Sequence, residues 1–328
     1  MKMLPPILAL VVVPTIAAAA ADESPLAPGA APQQVDVTGA GEGPAWHPSG
    51  DLYFSGGNRI TRLDSAGVAH IYRSPSGGSN GLLFDQQKRL VTCEGRNRRV
   101  TRTEPDGTIT VLTDGYQGRR YNAPNDVTID SKGRIYFSDP RYGSRDGMEI
   151  RDASGRAVEG VYRIDAPGQV SRIITHEADR PNGVLVTPDD KYLFVADNNN
   201  NVVGGARKLL RFDLQPDGTV DAASRKIVFD WQTGRGPDGM AIDRSGRLYV
   251  AAGLNKPHPP AETAAKFKGG VYIFSAAGKW IAFVPIPRDE VTNCTFGGPD
   301  LKTLYITGGG TLWRIRTHTA GWVPSVGQ

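Results

Sequence analysis

Six residues that carry a side-chain oxygen, Glu42, Asn80, Asn125, Asn182, Asp238 and Asn293, occupy one step of a recurring pattern. Each opens a short run of alternating apolar residues, as in EGPAWHPSGDLYFSG from Glu42, NDVTIDSKGRIYFSDP from Asn125 and DGMAIDRSGRLYVAAG from Asp238. Turn chemistry alone would accept Ser, Gly or Lys at that step equally well. A set of carboxylate and amide oxygens without His or Cys suits a hard dication. Ca²⁺ is the first choice, with Mg²⁺, Mn²⁺ or Zn²⁺ as alternatives. The same oxygens also suit a hydrogen-bonded polar plug. The choice turns on the elements that position them.

Those elements read as strands. Each run has two-residue alternation, a turn containing Gly, Asp, Pro or Lys, and a second run beginning at Leu or Ile. A further pair of strand-like runs follows each hairpin: RITRLD and VAHIYR, RVTRTE and TITVLTD, GVYRIDA and VSRIITH, KLLRFDL and RKIVFD, GGVYIFS and KWIAFVP. The sixth repeat has only TLWRIRT, and the missing strand is supplied by QQVDVTG near the amino terminus. Repeats on this scale predict an all-β, six-bladed propeller with four-stranded blades, closed by an N-terminal strand that completes the last blade. In such a ring the six inner-strand entrances face the axis at one end, so the six oxygen-bearing residues converge.

The chain has 328 residues, 40 of them Gly and 24 Pro, and is 39% hydrophobic, which fits many short strands and frequent turns. Residues 1–21 carry Lys2, a short apolar stretch and a small-residue end, the character of a secretory signal peptide. An exported protein, periplasmic or secreted, is expected. Residues 22–32, rich in Pro and Ala, read as a flexible lead-in, and 33–328 as one propeller domain. No second apolar run is long enough to span a membrane. The charge of +4 is spread out, without a basic stripe, which argues against nucleic acid as a partner. Cys93 and Cys294 fall in strands of different repeats and read as buried thiols. GGSNG at 77–81 matches a serine-hydrolase elbow only in letters, because no helix follows Ser79. Asn293 opens an NCT glycosylation pattern, but an axial position makes modification there implausible.

The segments GEGPAW at 41–46, APNDVTID at 123–130, RPNGV at 180–184, GPDGMAID at 236–243 and NCTFGGPDLKTLYIT at 293–307 resemble the SMP-30/gluconolactonase family. The similarity runs over 41–316. The resemblance implies a six-bladed propeller with a divalent metal in its axial channel, held by Glu42, Asn125, Asn182 and Asp238. It implies hydrolysis of a small-molecule sugar lactone; some relatives hydrolyse organophosphates. The sequence departs from the family in two places. Gly95 and Arg96 follow Glu94 where many relatives have a His, and Ala123 stands where some animal members have a sugar-binding Arg.

The expected reaction is metal-assisted lactone hydrolysis with Asp238 as the base and Glu42 as the second candidate. Asn80, Glu94, Asp126, Asp139 and Asn293 are candidate substrate contacts. The long connections at 139–159, 197–207 and 253–268 are expected to wall the pocket, with His258 able to reach its mouth. The alternatives are an organophosphate or other ester hydrolase using the same metal, and a non-catalytic propeller stabilised by Ca²⁺.

Overall fold

A computed structural model describes residues 24–327. Six four-stranded antiparallel sheets follow one another along the chain. The first blade holds β2 (Glu42–Trp46), β3 (Leu52–Gly56), β4 (Arg59–Leu63) and β5 (Ala69–Arg73). The second holds β6 (Ser79–Phe84), β7 (Leu90–Glu94), β8 (Arg99–Thr103) and β9 (Ile109–Thr113). The third is β10 (Val127–Ile129), β11 (Ile135–Asp139), β12 (Gly160–Ala166) and β13 (Gln169–Ile174). The fourth is β14 (Pro181–Val186), β15 (Tyr192–Asn198), β16 (Arg207–Leu214) and β17 (Val220–Asp230). The fifth is β18 (Pro237–Ile242), β19 (Leu248–Ala252), β20 (Gly270–Phe274) and β21 (Trp280–Pro285). In the last blade β22 (Val291–Gly297), β23 (Thr303–Gly308) and β24 (Thr311–Arg316) are completed by β1 (Gln33–Thr38), which pairs antiparallel with β24. The expected architecture and its closure are both present.

The turns between the first two strands of a blade repeat one local solution. Asp85, Asp130 and Asp243 each accept hydrogen bonds from the backbone N–H groups two and four residues on. An Arg at the fourth residue pairs with each of them: Arg89, Arg134 and Arg247. The side chain thus does the work of a backbone turn partner, which is why Asp recurs there.

The apolar core lies between blades. Phe137, Tyr162, Tyr121 and Val91 pack where blades two and three face each other, and Trp231, Tyr272 and Phe274 where blades four and five do. Outer strands are correspondingly bare, and four of the five β5 residues are exposed. Cys93 and Cys294 are buried free thiols. Among the described residues no helix is long and apolar enough to cross a membrane.

The signal-peptide reading falls on residues outside those described. The described part of the expected flexible lead-in takes another course. Leu26 bridges Thr317, the Ala27 N–H donates to the Arg316 carbonyl at 3.1 Å, and Leu26 and Ala30 pack on the last blade's core. Composition suggested flexibility there, but an apolar Leu docked beside the closing strand offsets the cost of ordering the segment.

Candidate functional site

The inner strands β2, β6, β10, β14, β18 and β22 surround the axis, each touching its ring neighbours. In five of the six blades the pairing register shifts at the entrance of the inner strand, between Glu42 and Ala45, Ser79 and Leu82, Pro181 and Val184, Pro237 and Met240, and Val291 and Asn293. A bulge breaks strict alternation and re-aims a side chain. In the third blade β10 starts only at Val127, and Asn125 is held by its N–H to the Ser138 carbonyl at 2.9 Å.

Glycine follows four of the ring residues because the blades crowd there. A Cβ on Gly183 would lie 2.0 Å from the Asp238 carbonyl oxygen, and one on Gly239 2.0 Å from Asn293 Cγ. The third blade has Asp126 at this step instead. Its carboxylate accepts the Val184 N–H of the next blade at 3.0 Å and a hydrogen bond from Asn293. Asp126 and Asn293 therefore fill the axis together, and Asn293 Oδ1 also accepts its neighbour's N–H from Cys294 at 2.8 Å. Below them a cavity of about 80 Å³ runs along the axis and reaches Trp322 and Pro324.

Glu42, Asp126 and Asp238 feel one another's charge. Burial, then Asp238 and Asp126, push the Glu42 carboxyl well above its usual range. Burial raises Asp238 too, against the pull of the Arg235 guanidinium. Asp126 is pushed up to about 6 by burial, against the N–H groups it accepts. Asn182 lies beside Asp238 and donates through Nδ2 to the Tyr142 hydroxyl at 2.6 Å, and among the described residues nothing donates to its carbonyl oxygen. Asn80 Oδ1 is buried without a partner among the described residues. Among those residues no three His, Cys, Asp or Glu side chains gather closely enough to hold a metal alone. Amide oxygens must complete any donor set, and the mutually repelling carboxylates with a free amide oxygen fit a hard dication.

Other expected contacts are used differently. Glu94 is engaged by Arg99 at 2.7 Å, Arg73 at 3.1 Å, Asn97 at 2.7 Å and Thr101 at 2.8 Å. Its two oxygens serve an ion-pair cluster within blade two and the approach to it. Asp139 accepts the N–H groups of Asn122 and Ala123 at 2.8 Å each, so it caps the strand end and the loop before Asn125. Asp197 does the same for Asp179 and Arg180. His47, His70 and His176 pair with Ser49, Asp64 and Asp152 respectively, as structural contacts.

Three residues near the site escaped the sequence reading. Tyr142 comes from the connection after β11 and meets Asn182. Arg235, 6% exposed, sits just before β18 with Nη2 3.9 Å from Asp238 Oδ2. Glu290 precedes β22 and binds Arg235 at 2.7 Å. All three lie in connections, where no periodicity marks them; only the adjacency of Arg235 to GPDG was a signal. His258 does reach this cluster, 3.4 Å from Glu290 and 3.5 Å from Glu262.

The chain is 28% identical over 304 residues to a gluconolactonase of Zymomonas mobilis, covering 85% of this chain and 79% of that one. It is 26% identical over 280 residues to the pentonolactonase XacC of Haloferax volcanii, covering 82% and 81%. A solved gluconolactonase structure from Xanthomonas campestris superposes with a TM-score of 0.71 at 29% identity, covering 87% of this chain and 89% of that one. The SMP-30/Gluconolactonase/LRE-like region matches residues 40–310. With the ring of inner-strand entrances in place and the match spanning nearly the whole propeller, the chain belongs to the SMP-30/gluconolactonase/LRE-like family.

Proposed function

We propose that this protein hydrolyses a sugar lactone to its hydroxy acid at the axial end where Glu42 and Asp238 meet. The observation that carries the reading is this buried carboxylate pair, beside a free Asn182 oxygen, in a chain similar to two named lactonases. Glu42, Asn125, Asn182 and Asp238 would hold a divalent cation, Ca²⁺ first among the candidates. Bound there, the cation supplies polarisation of the ester carbonyl and stabilises charge developing on its oxygen.

The chain's own groups do the rest. Asp238 takes a proton from the attacking water as the water oxygen bonds to the carbonyl carbon. The acyl–oxygen bond of the ring then breaks, and the proton returns to the departing ring oxygen. In the cation-free protein burial holds the Asp238 carboxyl above its ordinary value, and the charge of a bound dication would lower it again. Asn182 and Tyr142 hold the wall of the site. We also propose export of the protein, on the signal-like character of residues 1–21.

The test is a panel of aldono-lactones scanned against Ca²⁺, Zn²⁺, Mg²⁺ and Mn²⁺, with acid release followed by pH-stat. Turnover of at least one lactone, lost on chelation and in Asp238→Asn, is expected. A wild-type protein that turns over none with any cation would refute the reading.

A further inference from the structure

Among the described residues, Arg235 is the cation placed against the paired carboxylates of the site. Its guanidinium fork is bidentate to Glu290, with Nη1 2.9 Å from Oε1 and Nη2 2.7 Å from Oε2. Nη1 also lies 3.3 Å from Glu262 Oε2, in the connection after β19. Planar two-point pairing of this kind fixes orientation as well as charge. From that fixed position Nη2 stands 3.9 Å from Asp238 Oδ2. The separation is too long for a hydrogen bond but close for a charge pair. Asp238 thus has a counter-charge that does not occupy its lone pairs, and these stay available to Asn182, to a cation and to water.

Arg235 is held from two further elements, since Glu290 comes from the connection into β22 and Glu262 from the one after β19. His258 touches both acids. Three carboxylates therefore converge on one guanidinium, and the proposed base is one of them.

Building on the proposed lactonase reading, we propose that Arg235, clamped by Glu290 and Glu262, is a positioning residue that keeps Asp238 aimed while leaving its oxygens free. It acts through Asp238 and does not bind substrate. Two consequences of opposite sign follow. Loss of the positive charge removes repulsion against a dication at the site, so cation binding tightens. Loss of the same charge leaves Asp238 misplaced for proton abstraction, so turnover falls. A residue with a merely structural role would weaken both.

The experiment uses the full chain and its Arg235→Met, Arg235→Lys and Glu290→Gln variants. Ca²⁺ and Mn²⁺ affinities are measured by calorimetry, kcat and KM on glucono-1,5-lactone by pH-stat, and folding by thermal melting. Arg235→Met is expected to bind cation roughly tenfold more tightly. Its kcat should fall about 100-fold with KM nearly unchanged. Arg235→Lys, which keeps the charge without the fork, should return cation affinity to the wild-type value and recover part of kcat. Glu290→Gln keeps the guanidinium and removes its clamp, so both kcat and cation affinity should fall; if Arg235→Met does not fold, Arg235→Gln, which also removes the charge, takes its place with the same expected rise in cation affinity and fall in kcat. A raised KM at unchanged kcat in Arg235→Met would overturn the proposal in favour of direct substrate binding. Weaker or unchanged cation binding in that variant would overturn it as well. If the wild type hydrolyses no lactone, the proposed function fails while the calorimetric comparison still decides the role of Arg235.

Discussion

Asn182 donates through Nδ2 to the Tyr142 hydroxyl at 2.6 Å, and so an inner-strand entrance is tied to the loop that overhangs it. That donation sets the amide's orientation, and its oxygen is the atom left over beside Asp238. Tyr142→Phe removes the acceptor and lets the amide turn. Cation affinity should fall about tenfold, as is usual for groups that orient a ligand. Calorimetry with CaCl₂ on the folded variant checks this, and unchanged affinity would show that Asn182 does not depend on Tyr142.

Neutralising Asp238 should trade activity for stability. The crowding of Glu42, Asp126 and Asp238 is a strain on the cation-free protein. Asp238→Asn should therefore melt above cation-free wild type, while hydrolysis drops at least about 100-fold. Added cation should raise the melting temperature of wild type and no longer that of the variant. Melting curves with and without chelator give the comparison, and a lower melting temperature for the variant would contradict it.

Gly183 leaves no room for a methyl group, because its Cβ would lie 2.0 Å from the Asp238 carbonyl oxygen. Neither peptide can retreat without moving an inner strand. Gly183→Ala is expected to cost about 1–3 kcal/mol or more, the range for overpacking. Urea unfolding measures the loss, and the surviving folded fraction should hydrolyse lactone poorly because the displaced peptide carries Asp238.

Asp139 gives a pH signature away from the proposed cation. Burial pushes its carboxyl up to about 7, against the N–H groups of Asn122 and Ala123. The folded state thus holds a proton that the unfolded chain, at its usual value of 3.8, releases. The stabilising contribution is complete below that unfolded value and is lost as pH rises through about 7. Asp139→Asn should flatten this part of the pH–stability curve between pH 3.8 and about 7, the window the shift defines. Identical slopes in wild type and variant would contradict the assignment.

The ring and its closure were legible because a strand's period is two and the hairpin recurs, so β1 could be matched to the gap in the last blade before any coordinates. The six oxygen-bearing entrances were legible for the same reason: repetition turns one ambiguous Asn into a position. Glycine at the next step was visible as a pattern, but its cause was not. That cause is the approach of the neighbouring inner strand, a distance between blades that no local segment contains.

Glu94 shows the limit from the other side. It ends a second strand on the expected face, yet Arg73 and Arg99 take its charge, because the end of β5 in blade one and the start of β8 in its own blade place their Arg side chains there. The sequence by itself determined the number of blades, the inner-strand entrances and the oxygen chemistry at the axis, since periodic hydrogen bonding and side-chain type are local properties. Only the tertiary structure decided that Arg235, Tyr142 and Glu290, from three separate connections, meet at Asp238 and Asn182. Contacts among aperiodic loops are set by how the blades close around the axis.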